Sequence, residues 1–529
     1  MDSKMYPSME TMQQLDRNGN DKPFFLCEYA HAMGNAIGNL AEYWDYIENK
    51  SVRMIGGCIW DWVDQALYTP GTTGGPLWFG GSFGDVPNDN DFCCNGIVTA
   101  DRQLTAKLYE VKKVYQYIKI KMADQVGHDA SRHSRLDRES PVQIELENRY
   151  TAFNLNEFRL RYFYLEEGKR VADGWVDNLP FTAPWERCTV ALPAPPEAAG
   201  DLTLQVYVLL KQGASWCGPD HEVASAEFVL QEAGDRLVKA PEESFGPLKV
   251  YLEENRFLVA RNAGISIRMD KATGKLMSLC LRGKEVLHNL GGPTFHSYRF
   301  ISNEHGAFDL GGRPEMAADP TRLTAFNYSV KGGVLRMETT LDATAGGALV
   351  PYTVVYEVHP EGYMDVDATF HPWAEFAMPR IGLQLFLNPE FEELSWYGRG
   401  PMENYQDRKD AAFLGVYSQT VSGMAEPYVR AQSMGERTDT RWLQFKAEDG
   451  ATVTFTADGT FDFSAQHYTD RDLCLVKYGH DLDKIRRAEV VLNLDCFLTG
   501  LGNGSCGPGP LTQYQIVPGK KYNYRFRIQ

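Results

Sequence analysis

Phe24-Phe25-Leu26-Cys27-Glu28-Tyr29-Ala30-His31-Ala32-Met33-Gly34-Asn35 opens on an apolar run and closes on a carboxylate, an aromatic ring, an imidazole and a Gly-Asn turn signal. Bulky apolar residues bounded in this way predict a buried strand, with Glu28 at its C-terminal end. In barrels of alternating strands and helices, the chemistry is carried by side chains at strand C-termini and on the loops that follow. A carboxylate held there acts either as a nucleophile or as a polar strand end paired with a cation. The run alone leaves both open.

Outward from it, Ile37, Leu40, Ala41, Trp44 and Ile47 recur at helical spacing, and Met54-Ile55-Gly56-Gly57-Cys58-Ile59-Trp60 reads as a second strand. Strand, helix, strand in so few residues predicts a parallel crossover unit. The second strand ends in Trp60, Asp61, Trp62 and Asp64. Indole faces pack on the apolar C–H face of a pyranose while carboxylates accept from its hydroxyls, so this cluster suits a sugar. The alternative is a pair of core aromatics flanking surface acids. A turn-rich run follows, through Gly84-Asp85-Val86-Pro87-Asn88-Asp89 to Phe92-Cys93-Cys94-Asn95-Gly96. A long loop on the strand C-terminal side is more often functional than disordered. Thr105 to Tyr117 then reads as an amphipathic helix.

From residue 119 the period changes to two. Val142, Ile144 and Leu146 alternate with polar residues, as do Phe158, Leu160, Tyr162 and Tyr164, and Leu202, Leu204, Val206 and Val208. This predicts a small all-β sandwich, ended by the charged, Gly- and Pro-containing stretch Glu232–Pro247. The same period continues through Tyr352–Val358, Met364–Phe370, Ile381–Leu387 and Thr452–Ala457, with no long helical period, which predicts a large β-sandwich. Trp396–Tyr405 and Gly500–Pro508 are turn-dense and read as loops with structural glycines.

Composition excludes other classes. The formal net charge of −17 argues against nucleic acid as a partner, since phosphate binding needs clustered Lys and Arg. No apolar run approaches the ~20 residues of a membrane span, and Met1–Asn20 lacks the apolar core of a signal peptide. The ten cysteines are scattered without a C-x-x-C pair, which predicts free thiols in a reducing, cytoplasmic compartment.

Four segments together resemble a known family: Cys27–Asn35, Ile59-Trp60-Asp61-Trp62-Val63-Asp64-Gln65, Gly84-Asp85 with Pro87-Asn88-Asp89, and Gly398-Arg399-Gly400-Pro401-Met402-Glu403-Asn404-Tyr405. They look like the signatures of the bacterial β-galactosidases of glycoside hydrolase family two. The resemblance covers the whole chain but only the C-terminal half of the family's length. It implies the last three strands of a (β/α)8 TIM barrel over 1–118, an immunoglobulin-like β-sandwich over 119–238 and a large β-supersandwich over 239–529. It further implies retaining hydrolysis of lactose and other β-D-galactosides.

Carried over residue by residue, Glu28 matches the nucleophile and Tyr6 a tyrosine that hydrogen-bonds it. Tyr29, His31, Trp60, Asp61 and Cys506 match positions lining the substrate site; Cys506 stands where some relatives have a tryptophan that stacks on the aglycone. Phe92, through its carbonyl, and Asn95 match ligands of a monovalent cation such as sodium, and Asn88 a weaker magnesium contact. Ser433 replaces an acid found near the active site of some relatives. The family's acid/base glutamate and main magnesium ligands lie in an Asn-Glu-Ser type motif that this sequence lacks. The mechanism needs two carboxyls about 5–5.5 Å apart, so the chain is expected to be inactive alone.

A three-strand barrel piece leaves two unpaired edges and is expected to be poorly ordered by itself. The expectations that follow are a gene fragment, a subunit completed by an N-terminal chain, or a non-catalytic carbohydrate-binding β protein. Full-length relatives imply a homo-oligomer.

Overall fold

The computed structural model describes residues 1–19, 21–123, 140–237, 243–301, 319–345, 348–372 and 378–529. The expected junction at 238–239 lies outside them. The chain divides into two compact units. One contains Met1–Glu110, Arg236–Ala412 and Tyr417–Gln529; the other contains Val111–Asp235 and Phe413–Val416.

The first unit begins with β1 (Asp2–Met5), α1 (Met9–Asp16), β2 (Phe24–Tyr29), α2 (Leu40–Asn49) and β3 (Met54–Ile59). The three strands are parallel, with β2 in the middle. Along β2 the pleat buries Phe24 and Leu26 and leaves Phe25 and Cys27 half-buried. Ser8 starts α1 by accepting from the Thr11 N–H at 3.2 Å. The buried carboxylate of Asp16 then ties helix to strand, taking Tyr46 Oη at 2.8 Å and the N–H groups of Val52 and Arg53 at 3.0 and 3.1 Å. A short hairpin, β4 (Leu67–Tyr68) with β5 (Leu77–Trp78), punctuates the loop after β3, and α3 (Ala106–Val114) ends the segment.

In the second unit, β6 (Ile118–Met122), β7 (Val142–Asn148), β8 (Phe158–Glu166), β9 (Lys169–Val176), β10 (Arg187–Leu192), β11 (Leu202–Leu210) and β12 (Glu222–Gln231) follow in order. Among the described residues they form two sheets, β10-β7-β6 and β12-β11-β8-β9. The alternating residues read from the sequence are its core: Val142, Ile144, Leu146, Leu160, Leu204 and Val206 are all sealed between the sheets. This is an immunoglobulin-like sandwich.

The rest of the first unit is the large sandwich, with sheets of five and twelve strands among the described residues. The expected strands are present and longer: Ala348–His359, Tyr363–Phe370, Arg380–Leu387 and Thr452–Gln466. One expectation is corrected. Trp396–Gly400 is not loop but the end of strand Glu393–Gly400, with Trp396 and Tyr397 fully buried. Its glycines signal close packing: a Cβ on Gly398 would lie 2.9 Å from Thr440 Cα, and one on Gly400 would lie 2.8 Å from the Tyr417 ring. No described helix is long and apolar enough to cross a membrane.

Candidate active site

Glu28 is the penultimate residue of β2, half-buried, in register with Met5 of β1. The chain leaves β1 at Tyr6, whose φ is 43° and whose N–H donates to the Glu28 carbonyl at 2.9 Å. That turn brings the Tyr6 phenol onto the Glu28 carboxylate. Burial, the hydrogen bond to Glu28 and the charge of Glu28 together hold the phenol well above its usual pKa, so it stays a donor. Asp61 and Cys506 lie close enough to add smaller contributions to the same shift.

His31 follows three residues on. Its Nδ1 lies 2.7 Å from Ser505 Oγ, its ring stacks on Phe92 at 5.1 Å and meets Tyr6 edge-on at 5.8 Å. The ring is 1 % exposed, and among the described residues its Nε2 has no partner. Burial, then the Lys107 charge, pushes its pKa down to about 4, so the imidazole is neutral near pH 7.

Trp60 directly follows β3 with 38 % of its surface open, and its carbonyl accepts from Ala32 N–H at 2.8 Å. Asp61 has an acceptor role toward Gln65 Nε2 at 2.9 Å and its backbone pairs with Asn95 and Ile97. Asp64 is buried and accepts from Gly96 N–H at 2.7 Å, which fastens the Phe92–Gly96 loop to the end of β3. Tyr29 sits differently: it is 2 % exposed and packs on Tyr43 and Gly57 in the interior. Cys506 is exposed; partial burial and then the Glu28 charge push its thiol up.

The donor set for a monovalent cation fits. Asn95 is buried, its Nδ2 donates to the Phe92 carbonyl at 3.0 Å, and its Oδ1 has no hydrogen-bond donor among the described residues. A buried orphan carbonyl oxygen beside a backbone carbonyl is the hard-oxygen environment a small cation requires. Asn88 differs, because its amide is spent on its own loop, donating to Asp85 O at 2.7 Å and accepting from Asn90 N–H at 3.1 Å.

Reading the sequence missed what holds these residues. Asn35 accepts from Arg408 Nη1 through its carbonyl at 2.6 Å and donates to Ser433 O at 3.0 Å. Arg408 pairs with Glu403 at 2.6 Å, both fully buried, and Glu403 also takes the Tyr428 hydroxyl and Gly435 N–H. Asp407 accepts from Leu501 and Gly502 N–H at 2.8 Å each. Asn39 spends its side chain on Gly509 and Leu511 instead of capping α2. The Gly398–Tyr405 motif and the Gly500–Pro508 loop are therefore anchors for the turn after Glu28.

Three family models match the chain: the glycosyl hydrolases family 2 TIM barrel domain over residues 1–120, β-galactosidase domain 4 over 144–231, and the β-galactosidase small chain over 261–528. The chain belongs to the β-galactosidases of glycosyl hydrolase family 2. A β-galactosidase of Priestia megaterium is 28 % identical over 546 aligned positions, covering 100 % of this chain and 50 % of that protein. One from Lactobacillus delbrueckii subsp. bulgaricus is 34 % identical, covering 91 % and 45 %. One from Aeromonas hydrophila is 30 % identical, covering 95 % and 48 %. The chain spans about half the length of these relatives.

Proposed function

We propose that this chain supplies the nucleophile half of a retaining β-galactosidase site and that the acid/base carboxyl comes from a segment outside this sequence that completes the barrel. The observation that carries this reading is the Tyr6 phenol on the Glu28 carboxylate, with the neutral His31 edge-on to Tyr6 and Trp60 open just past the neighbouring strand. Glu28 attacks the anomeric carbon while the incoming carboxyl protonates the leaving oxygen; the glycosyl ester on Glu28 is then released by water activated by that same carboxyl. Tyr6 steadies the charge on Glu28 before attack and after release. His31 offers Nε2 to a sugar hydroxyl, Trp60 its face to the pyranose, and Asp61 and Cys506 border the opening. Phe92 O and Asn95 Oδ1 would hold a monovalent cation, which supplies a positive anchor for a sugar hydroxyl. Asn88, whose amide is taken up by Asp85 and Asn90, stays outside this donor set. The partner is a β-galactoside, the setting is the cytoplasm, in keeping with ten unbonded cysteines, and assembly is homo-oligomeric.

The test is a chromogenic β-galactoside assay of the chain alone and mixed with the N-terminal portion of the L. delbrueckii relative. No turnover alone, turnover on mixing and return to background with Glu28→Gln are expected. Turnover by the chain alone overturns the external acid. Turnover that survives Glu28→Gln overturns the nucleophile.

A further inference from the structure

His31 is held at two places by groups that neither the motifs nor the family match assigns. Ser505, 474 residues further along the chain, reaches Nδ1 at 2.7 Å from a sandwich loop and is itself 1 % exposed. Lys107, at the start of α3, is 2 % exposed, and its Nζ donates to Ala32 O at 2.9 Å and to Gly34 O at 3.0 Å, the turn just after His31. A buried ammonium is costly and persists only where its donors are used. Here they are used on the backbone that carries the imidazole.

We propose that Ser505 and Lys107 are positioning residues for His31: Ser505 fixes the ring rotation through Nδ1, and Lys107 fixes the turn, so that the unpartnered Nε2 meets a galactosyl hydroxyl. This rests on the reading of His31 as a sugar contact. The geometry is economical: one ring nitrogen is consumed by the protein and the other is left for a ligand. The Ser505 loop is in turn pinned by Asp407 to Gly502 and by Asn503 Nδ2 to Gly38 O at 3.0 Å. The large sandwich thereby sets a side chain of the barrel segment.

Two readouts test it. In the chain as it stands, nitrogen-15 imidazole spectra, with His31 identified by Ser505-independent loss of its signals in His31→Gln, are recorded for Ser505→Ala and Ser505→Thr. Both His31 ring nitrogens are expected to shift or broaden in Ser505→Ala and to keep their wild-type positions in Ser505→Thr, while His467 signals stay put as the folding control. Unchanged His31 signals in Ser505→Ala overturn the proposal. In the completed enzyme, Ser505→Ala is expected to raise the galactoside KM about tenfold, the loss of one good hydrogen bond, with kcat changed less, and to have no effect once His31 is Gln. Additive losses in that double mutant overturn it. Absence of turnover in the completed wild type counts against the proposed function alone, and the spectra then decide.

Discussion

Asp462 shows how burial writes pH dependence into the sandwich. It is 5 % exposed and accepts from Gln406 Nε2 at 2.8 Å and from Asp439 N–H at 3.0 Å. Burial and the neighbouring Asp439 push its pKa up to about 7 from 3.8. The native state therefore binds a proton that the unfolded chain has released. Below about pH 4 both states hold the proton and stability is full; between pH 4 and 7 it falls, and above 7 the loss is complete, on the order of 4 kcal/mol. Asp439 has the opposite sign: burial opposes ionisation, but Lys409 and Arg399 hold it down at about 2, so its contribution is present above pH 4 and lost as pH falls through 2. Asp462→Asn is expected to flatten the urea-unfolding free energy between pH 4 and 7 and to stabilise at pH 8. A slope unchanged from wild type refutes the assignment. Such a residue is not legible in sequence, where Asp458, Asp462 and Asp470 look alike. Glu28, His31 and Trp60 stood out as candidates because their types cluster at predicted strand ends, while the role of each came only from the family resemblance. Ser505 and Lys107 did not, since one is distant in sequence and the other reads as the solvated face of a helix.

At the scale of elements, the periodicities gave the strands and missed the anchors. Period two carries strand type because one face of each strand is sealed. The turn at 401–408 carries no such pattern, because its buried groups are charged and paired with one another. Gly38 shows how tightly that turn closes on the segment after Glu28. A Cβ there would fall 1.9 Å from Asp407 Oδ2 and 2.5 Å from Gly502 N, and Gly38 N–H donates to Gly502 O at 2.9 Å. Asp407 would have to release the 500–502 backbone. Buried hydrogen-bond loss of this kind, with the carboxylate left behind, costs roughly 2–4 kcal/mol. Gly38→Ala is expected to lower the denaturation midpoint by that amount and, in the completed enzyme, to raise the galactoside KM through the displaced Ser505. A midpoint within 0.5 kcal/mol-equivalent of wild type, about the spread of neutral surface changes, would show that the loop closes without Gly38.

For the molecule as a whole, the barrel segment is both open and anchored. Among the described residues β1 and β3 each pair only with β2, and Met5, Val52 and Ile55 are 52 %, 71 % and 61 % exposed. Unpaired edges and open apolar surface weaken a parallel sheet. Residues 31–42, in contrast, are bonded to Glu403–Arg408, Gln432–Ser433 and the 500–511 loop. The expectation that the barrel piece is poorly ordered by itself thereby becomes a graded prediction. Limited proteolysis read by mass spectrometry is expected to cut first in the exposed segments 69–76 and 83–87, where Val86 is 88 % exposed, and at Arg17–Gly19. The 31–42 segment should remain with the sandwich fragment. Local opening follows the count of buried partners, so early cleavage within 31–42 would contradict the anchoring network. Addition of the N-terminal portion of a relative should then protect Arg17–Gly19 and the β3 edge without changing cleavage in 31–42, because docking covers the open strand edges and adds nothing to bonds already made.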